Sequence, residues 1–202
     1  FKTAFSLSGG TNITALGTNT GKFYSPFKSE KGRGTNEIFI GERSNYFGGM
    51  NSGTTSIGTY SAYKATGLTS TIAIGQESAW KATNQKTSIF IGEKAGWSAS
   101  TGWDNVGIGT SSMSGASATS HIPTVTAVNA IGLQAASSLK AAIGTIAIGS
   151  QAFANVTADT LSIAIGVGAG ENVRFVESYR TSATDGHFTT NFPLGQRPNP
   201  IS

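Results

Sequence analysis

Apolar residues in this chain recur on a fixed beat. The doublet Ile-Gly stands at Ile40-Gly41, Ile57-Gly58, Ile74-Gly75, Ile91-Gly92 and Ile108-Gly109, in steps of 17 residues. It resumes at Ile131-Gly132, Ile148-Gly149 and Ile165-Gly166 with the same step. The interval from Ile108 to Ile131 is 23 residues, one repeat plus six, and Leu16-Gly17 fills the same slot 24 residues before Ile40. Two places before each Ile lies a β-branched residue (Ile38, Thr55, Ile72, Ile89, Val106, Ile146, Ile163), with Asn129 the exception. Four places after it the side chain is always small: Ser44, Ser61, Ser78, Ala95, Ser112, Ala135, Ala152 and Ala169. Six places after it the first half carries Tyr46, Tyr63, Trp80 and Trp97, and the second half Ser114, Ser137, Ala154 and Glu171.

A fixed period means that each unit buries an apolar edge on the next, giving a quasi-one-dimensional stack. The Ile-x-Ile alternation is strand periodicity, and it predicts two isoleucines pointing inward with a small residue between them. Gly then ends the strand where a tight bend or positive φ excludes other residues. A helix-turn-helix unit needs ~30 residues or more, so one β-coil per repeat is the expected unit. The fold class is therefore all-β: a stacked-coil β-helix or β-roll, or an intertwined β-prism. Coils stacked at ~4.8 Å give a rod roughly 40 Å long. Each coil brings two large apolar residues and one aromatic, thin cover for a single chain, so a homotrimer with part of the apolar column on its axis is expected.

Composition sharpens this picture. Gly is 27 of 202 residues and charged residues are only 12%, against ~25% in ordinary soluble domains. A chain rich in Gly, Ser, Thr and Asn disfavours helix, while 38% apolar residues argue against disorder. The net charge of +4 comes from scattered basic residues, apart from Lys28, Lys31 and Arg33 around Glu30. Without a basic stripe, nucleic acid is not an expected partner. There is no cysteine for disulfides or a zinc site. No apolar run approaches the ~18 residues of a membrane span, so no membrane insertion is expected. No signal peptide is visible, and the opening Phe1-Lys2-Thr3 reads as a fragment or a processed product.

Stretches such as Ser70 to Trp80 (STIAIGQESAW) and Ser162 to Gly170 (SIAIGVGAG) resemble the Ile-Gly head repeats of trimeric autotransporter adhesins. The 17-residue spacing, with Ala or Ser and then an aromatic after the doublet, is more similar to repeats of bacteriophage tail fibres, an L-shaped siphophage side-fibre tip among them. The similarity covers about residues 36 to 171. It implies a homotrimeric fibre on the virion, outside the cell, that attaches to a host surface glycan such as a lipopolysaccharide O-antigen. Such fibres often carry a C-terminal intramolecular chaperone cleaved after trimerisation; none is present here, and an end at Ser202 would suit a chain so processed. The adhesin resemblance implies instead a head that binds host matrix protein.

Three regions follow. Residues 1–35 form a lead-in with the degenerate first repeat and an inserted loop rich in Pro, Gly and charge. Residues 36–171 are the repeat array, with a second insertion near 117–126. Residues 172–202 drop the pattern and gain aromatic and basic groups, as a cap or a receptor-contacting tip. Within that end Tyr179, Arg180, His187 and Phe188 are the first candidates for glycan contact, offering ring faces and hydroxyl-bonding groups, and Trp103 beside Asp104-Asn105 is a second, lateral site. The aromatic series at 46, 63, 80 and 97 reads as a core or interface ladder or, if exposed, as a sugar platform.

Catalytic and cofactor chemistry finds little footing. His121 and His187 lack metal-ligand spacing such as H-E-x-x-H, and Gly166 to Gly170 lacks the Lys-Ser/Thr and following helix of a phosphate loop. A glycosidase needs two converging carboxylates, and only 10 acids exist, several just after the Ile-Gly bend. The expectation is a non-enzymatic binding protein without cofactor or metal. A polysaccharide depolymerase, using a pair such as Glu177 and Asp185, is the enzymatic alternative.

Overall fold

A computed structural model describes residues 11–22, 35–116 and 125–172. They form a β-solenoid with no helix among the described residues. A long sheet stacks nine parallel strands: Thr11–Leu16, Thr35–Ile40, Thr55–Ile57, Ile72–Ile74, Ile89–Ile91, Val106–Ile108, Asn129–Ile131, Ile146–Ile148 and Ile163–Ile165. A short sheet stacks five: Gln85–Lys86, Gly102–Trp103, Val125–Thr126, Lys140–Ile143 and Thr157–Thr160. Isolated parallel bridges such as Ser52 to Thr69 and Thr69 to Lys86 continue the short sheet toward the N-terminal coils. Strands pair coil to coil within one chain, which selects the solenoid over the intertwined prism.

The long sheet keeps strict register. Ile40 pairs with Ile57, Ile57 with Ile74 and Ile74 with Ile91. The 24-residue step still sets Leu16 against Ile40, and the 23-residue step sets Ile108 against Ile131, so both insertions leave the ladder undisturbed. Across the second insertion the Asn105 side chain helps to hold the coils: its carbonyl oxygen accepts from the Val128 amide at 3.1 Å and its amide donates to the Val125 carbonyl at 2.7 Å.

The doublet glycine does what the repeat demands. From Gly17 to Gly166 every glycine of this series has φ between 126° and 136°. A β-carbon on Gly75 would stand 2.5 Å from the carbonyl oxygen of Gly92, the same glycine one coil on. Both the torsion and the close approach exclude a side chain. The small residue four places after Ile also faces inward. Ser61, Ser78 and Ser112 are buried and donate their hydroxyls to the carbonyls of Ala73, Phe90 and Ala130 at 2.9–3.0 Å. A serine therefore satisfies its own buried hydroxyl by tying one coil to the next.

The expectation that the isoleucines point inward is overturned. They lie in strands, but none of the eight from Ile40 to Ile165 is buried; the residue between the two β-branched positions is the inward one. Phe39, Ser56, Ala73, Phe90, Ala130 and Ala147 are fully buried, while Ile91, Ile108, Ile131 and Ile148 remain 36–41% exposed. The physical reason is the width of the coil. The opposite wall is a run of turns carrying buried Ala62, Ala79, Ala95, Ala136 and Ala152, and the gap admits a small residue or one ring opposite a glycine. A β-carbon on Gly96 would fall 2.6 Å from the Phe90 ring, and one on Gly170 would fall 2.5 Å from the Phe153 ring. Each of these two rings is thus matched by a missing side chain, at the density protein interiors require.

That turn wall has an unusual backbone. Glu77, Ala79 and Lys81 have φ of 55°, 52° and 55°, and the same alternate positions are left-handed in other coils. Alternation sends amides up and down the stack: Glu77 N–H to Thr59 O at 3.0 Å, Ala79 N–H to Ala95 O at 2.8 Å, Lys81 N–H to Tyr63 O at 2.9 Å. A non-glycine residue in this region costs roughly 1–2 kcal/mol, and pairing of otherwise orphaned backbone groups offsets it.

Candidate functional site

The aromatic series forms a ladder on the outside of the turn wall. Tyr46 stacks on Tyr63 with centroids 5.7 Å apart and planes 12° apart; Tyr63 on Trp80 is 6.2 Å and 8°, and Trp80 on Trp97 is 5.1 Å and 8°. Ring spacing follows from the coil pitch of ~4.8 Å, because each ring leaves the same corner of successive coils. Lys81 places its ammonium 4.3 Å from the Trp80 centroid, and Arg43 donates to the Tyr60 hydroxyl. An open cleft beside the ladder is lined by Tyr60, Tyr63, Lys64, Glu77, Trp80 and Trp97. Within the ladder the ring faces lie against one another, which leaves edges, hydroxyls and charged groups to the cleft. The series is a packing ladder along its length and not a row of free stacking platforms.

Trp103 has a different setting. It stands on the outer face of the short sheet, 38% exposed, paired in register with Lys86 on one side and Thr126 on the other. The Lys86 ammonium lies 6.0 Å from its centroid. No other ring contacts it among the described residues, so an indole surface is open to an apolar sugar face while Lys86 stands ready for hydroxyls. Of the residues named from sequence, Trp103 is exposed as expected; Tyr179, Arg180, His187 and Phe188 lie outside the described residues, as does His121.

Two features escaped the sequence reading. The first is the outer face of the long sheet, where the β-branched positions project in two parallel columns, Ile38 to Ile163 and Ile40 to Ile165, with no charged residue in either column. Leu133 and Val167 extend its apolar border, 51% and 82% exposed. The repeat itself was the signal for this face, and only the direction of the side chains was misjudged.

The second is Glu37. It is fully buried, and neither carboxyl oxygen makes a hydrogen bond of good geometry among the described residues, although the backbone and hydroxyl of Thr54 lie nearby. Burial pushes its carboxyl up to about 8, with the backbone and hydroxyl of Thr54 opposing the shift. The signal was present in the alignment of repeats: Thr54, Thr71, Ser88, Asn105, Val128, Thr145 and Ser162 occupy its position in other coils, and none is charged.

Among the described residues no group of three His, Cys, Asp or Glu is placed to hold a metal ion. Nor is any helix among them long and apolar enough to cross a membrane. No protein-family model matches the chain, and no curated protein or solved structure is significantly similar to it.

Proposed function

We propose that this chain is the distal part of a homotrimeric phage tail fibre, carried outside the cell on the virion, that binds a host surface polysaccharide such as a lipopolysaccharide O-antigen without turning it over. The observation that carries this reading is a stack of similar coils whose long sheet leaves an uncharged, largely isoleucine face open from end to end. A monomeric soluble protein rarely exposes an apolar patch of that extent, and a fibre of several copies removes it from water. Glycan contact is supported by Trp103 and Lys86 on the short, polar sheet, and by the Arg, Tyr, His and Phe residues of the end segment. Several weak sites on one fibre act together through effective concentration, which suits reversible adsorption.

Sedimentation at micromolar concentration should give three times the chain mass of 20.7 kDa. The glycan half of the reading is tested by binding to lipopolysaccharides with and without O-chains, using the assembled protein and its Trp103→Ala and Arg180→Ala variants. Loss of binding with the O-chain, and in either variant, is the expected result. Binding to immobilised matrix protein but to no lipopolysaccharide would favour the adhesin head, and release of oligosaccharides from the O-chain would favour the depolymerase.

A further inference from the structure

We infer that the isoleucine face of the long sheet is where copies of this chain meet, side by side, parallel and in register, and that Asn129 sets the register. The inference rests on the homo-oligomeric part of the preceding reading and is independent of the glycan. Nine strands at ~4.8 Å make a face roughly 40 Å long and about 15 Å across, of the order of the ~800 Å² per partner in a stable interface. Its knobs repeat at the coil pitch. A surface that must interlock with them over the whole length needs the same pitch, and a second copy of this solenoid supplies it.

Direction follows from the ends of the face. The corner bordering the second column carries Glu42, Gln76 and Glu93 in the earlier coils and Leu133 and Val167 in the later ones, all exposed. A reversed copy lays the apolar end against the charged one, whereas parallel copies keep Leu133 and Val167 together and leave Glu42 and Glu93 beside their own Arg43 and Lys94. Copies arranged around a threefold axis along the rod must also run the same way.

Register follows from Asn129. Of the residues two places before Ile, it alone carries an amide, exposed on the outer face between Val106 and Ile146. In register, the Asn129 side chains of all copies lie at one height, each with a donor and an acceptor for its neighbours. A slip of one coil sets the amide against aliphatic side chains and strands it without a partner. A single polar residue in an otherwise apolar seam selects alignment in the same way in coiled coils.

The chain contains no cysteine, so single introduced cysteines report proximity without background. Ile74→Cys, Asn129→Cys and Ile148→Cys, each treated with a short bismaleimide, should all yield covalently joined copies, while Lys86→Cys on the other sheet should not. Joining confined to cysteines near the middle of the array, or appearing only when Thr55→Cys and Asn129→Cys chains are mixed, means an antiparallel pair and overturns the inference. Ile91→Asp should sediment as a monomer that keeps its β-sheet circular dichroism. An assembled wild type with an equally assembled Ile91→Asp overturns the face and leaves self-association standing; a wild-type monomer overturns both. For register, chains carrying Ile74→Cys and Ile91→Cys are mixed in wild-type and Asn129→Ile backgrounds. Cross-joining should rise from background to the in-register level with Asn129→Ile; no rise excludes Asn129 as the register residue.

Discussion

The two sheets of the solenoid stack the same coils in the same direction, yet their outer faces have opposite character. The long sheet projects two columns of isoleucine and valine interrupted by Thr14, Thr55 and Asn129 and begun by Leu16, while the short sheet projects Ser52, Thr69, Lys86, Trp103 and Thr126 before Ile143. Their inner faces are both closely packed but differ in content: the long sheet turns in small residues and two rings, Phe39 and Phe90, while the short sheet turns in Gln85, Gly102, Val125 and Ala142. The inner positions are constrained by what lies across the coil. The outer positions are free of that constraint, so their character is set by what lies outside the coil: a polar face suits water, and an uncharged aliphatic one does not.

The sharpest way to break both faces at once is to break the stacking they share. Gly92→Ala, at φ 134° with its β-carbon 2.5 Å from the Gly109 carbonyl oxygen, should destabilise the chain by about 4 kcal/mol or more, since backbone strain and steric overlap add. Gly53→Ala, at φ 64° with nothing nearer than 3.6 Å, should cost only about 1 kcal/mol. Urea unfolding of the two variants measures the contrast.

Next in size is the inner–outer difference along one strand. Phe90→Ala removes a fully buried ring and should cost about 3–5 kcal/mol. Its neighbour Ile91 is 36% exposed, so in dissociated chains Ile91→Ala should cost no more than about 1 kcal/mol. Equal losses in the two, measured at concentrations where the chain is monomeric, would reverse the assignment of the faces.

Glu37 gives the inner face a pH dependence of its own. Its carboxyl is held protonated in the fold, at about 8 against an ordinary 4.5, so the folded state binds the extra proton. Stability is intact below pH 4.5 and falls as pH rises from there through 8, by a few kcal/mol in all. Thermal melts from pH 5 to 8.5 should fall for the wild type and stay nearly level for Glu37→Gln. A wild-type profile as level as that of Glu37→Gln would mean that the carboxyl is already ionised and paired.

The smallest effect on stability belongs to the polar outer face. Trp103→Ala should change the unfolding free energy by less than about 1 kcal/mol, while weakening retention on the O-chain. A large loss of stability would make Trp103 a structural residue and remove it from the binding surface.

Much of this architecture was legible in the amino-acid order, and for identifiable reasons. The beat of Ile-Gly located the long-sheet strands, because coils that stack in register meet the same packing demand at the same position. The doublet glycine announced a bend, and the Ser/Ala column marked a position that takes only a small side chain; the torsions near 130° and the serine bonds to Ala73, Phe90 and Ala130 are those signals made physical. The short-sheet strands were not read, since two-residue elements such as Gln85–Lys86 and Gly102–Trp103 have no room to show a period. Nor were the left-handed turns at Glu77, Ala79 and Lys81, whose side chains have no shared preference for that region and adopt it only where the neighbouring coils accept their amides.

The site was legible in part. Trp103 could be read as exposed from its polar neighbours, and Glu37 could have been noticed as the only acid in its column. The inward–outward choice is another matter. Sequence determined that Ile72 and Ile74 face one way and Ala73 the other, because alternation is a property of the strand itself. Which of the two ways is inward was decided only when the turn wall closed over the strand, at a distance that admits alanine, or phenylalanine opposite glycine, and has no room for two isoleucines.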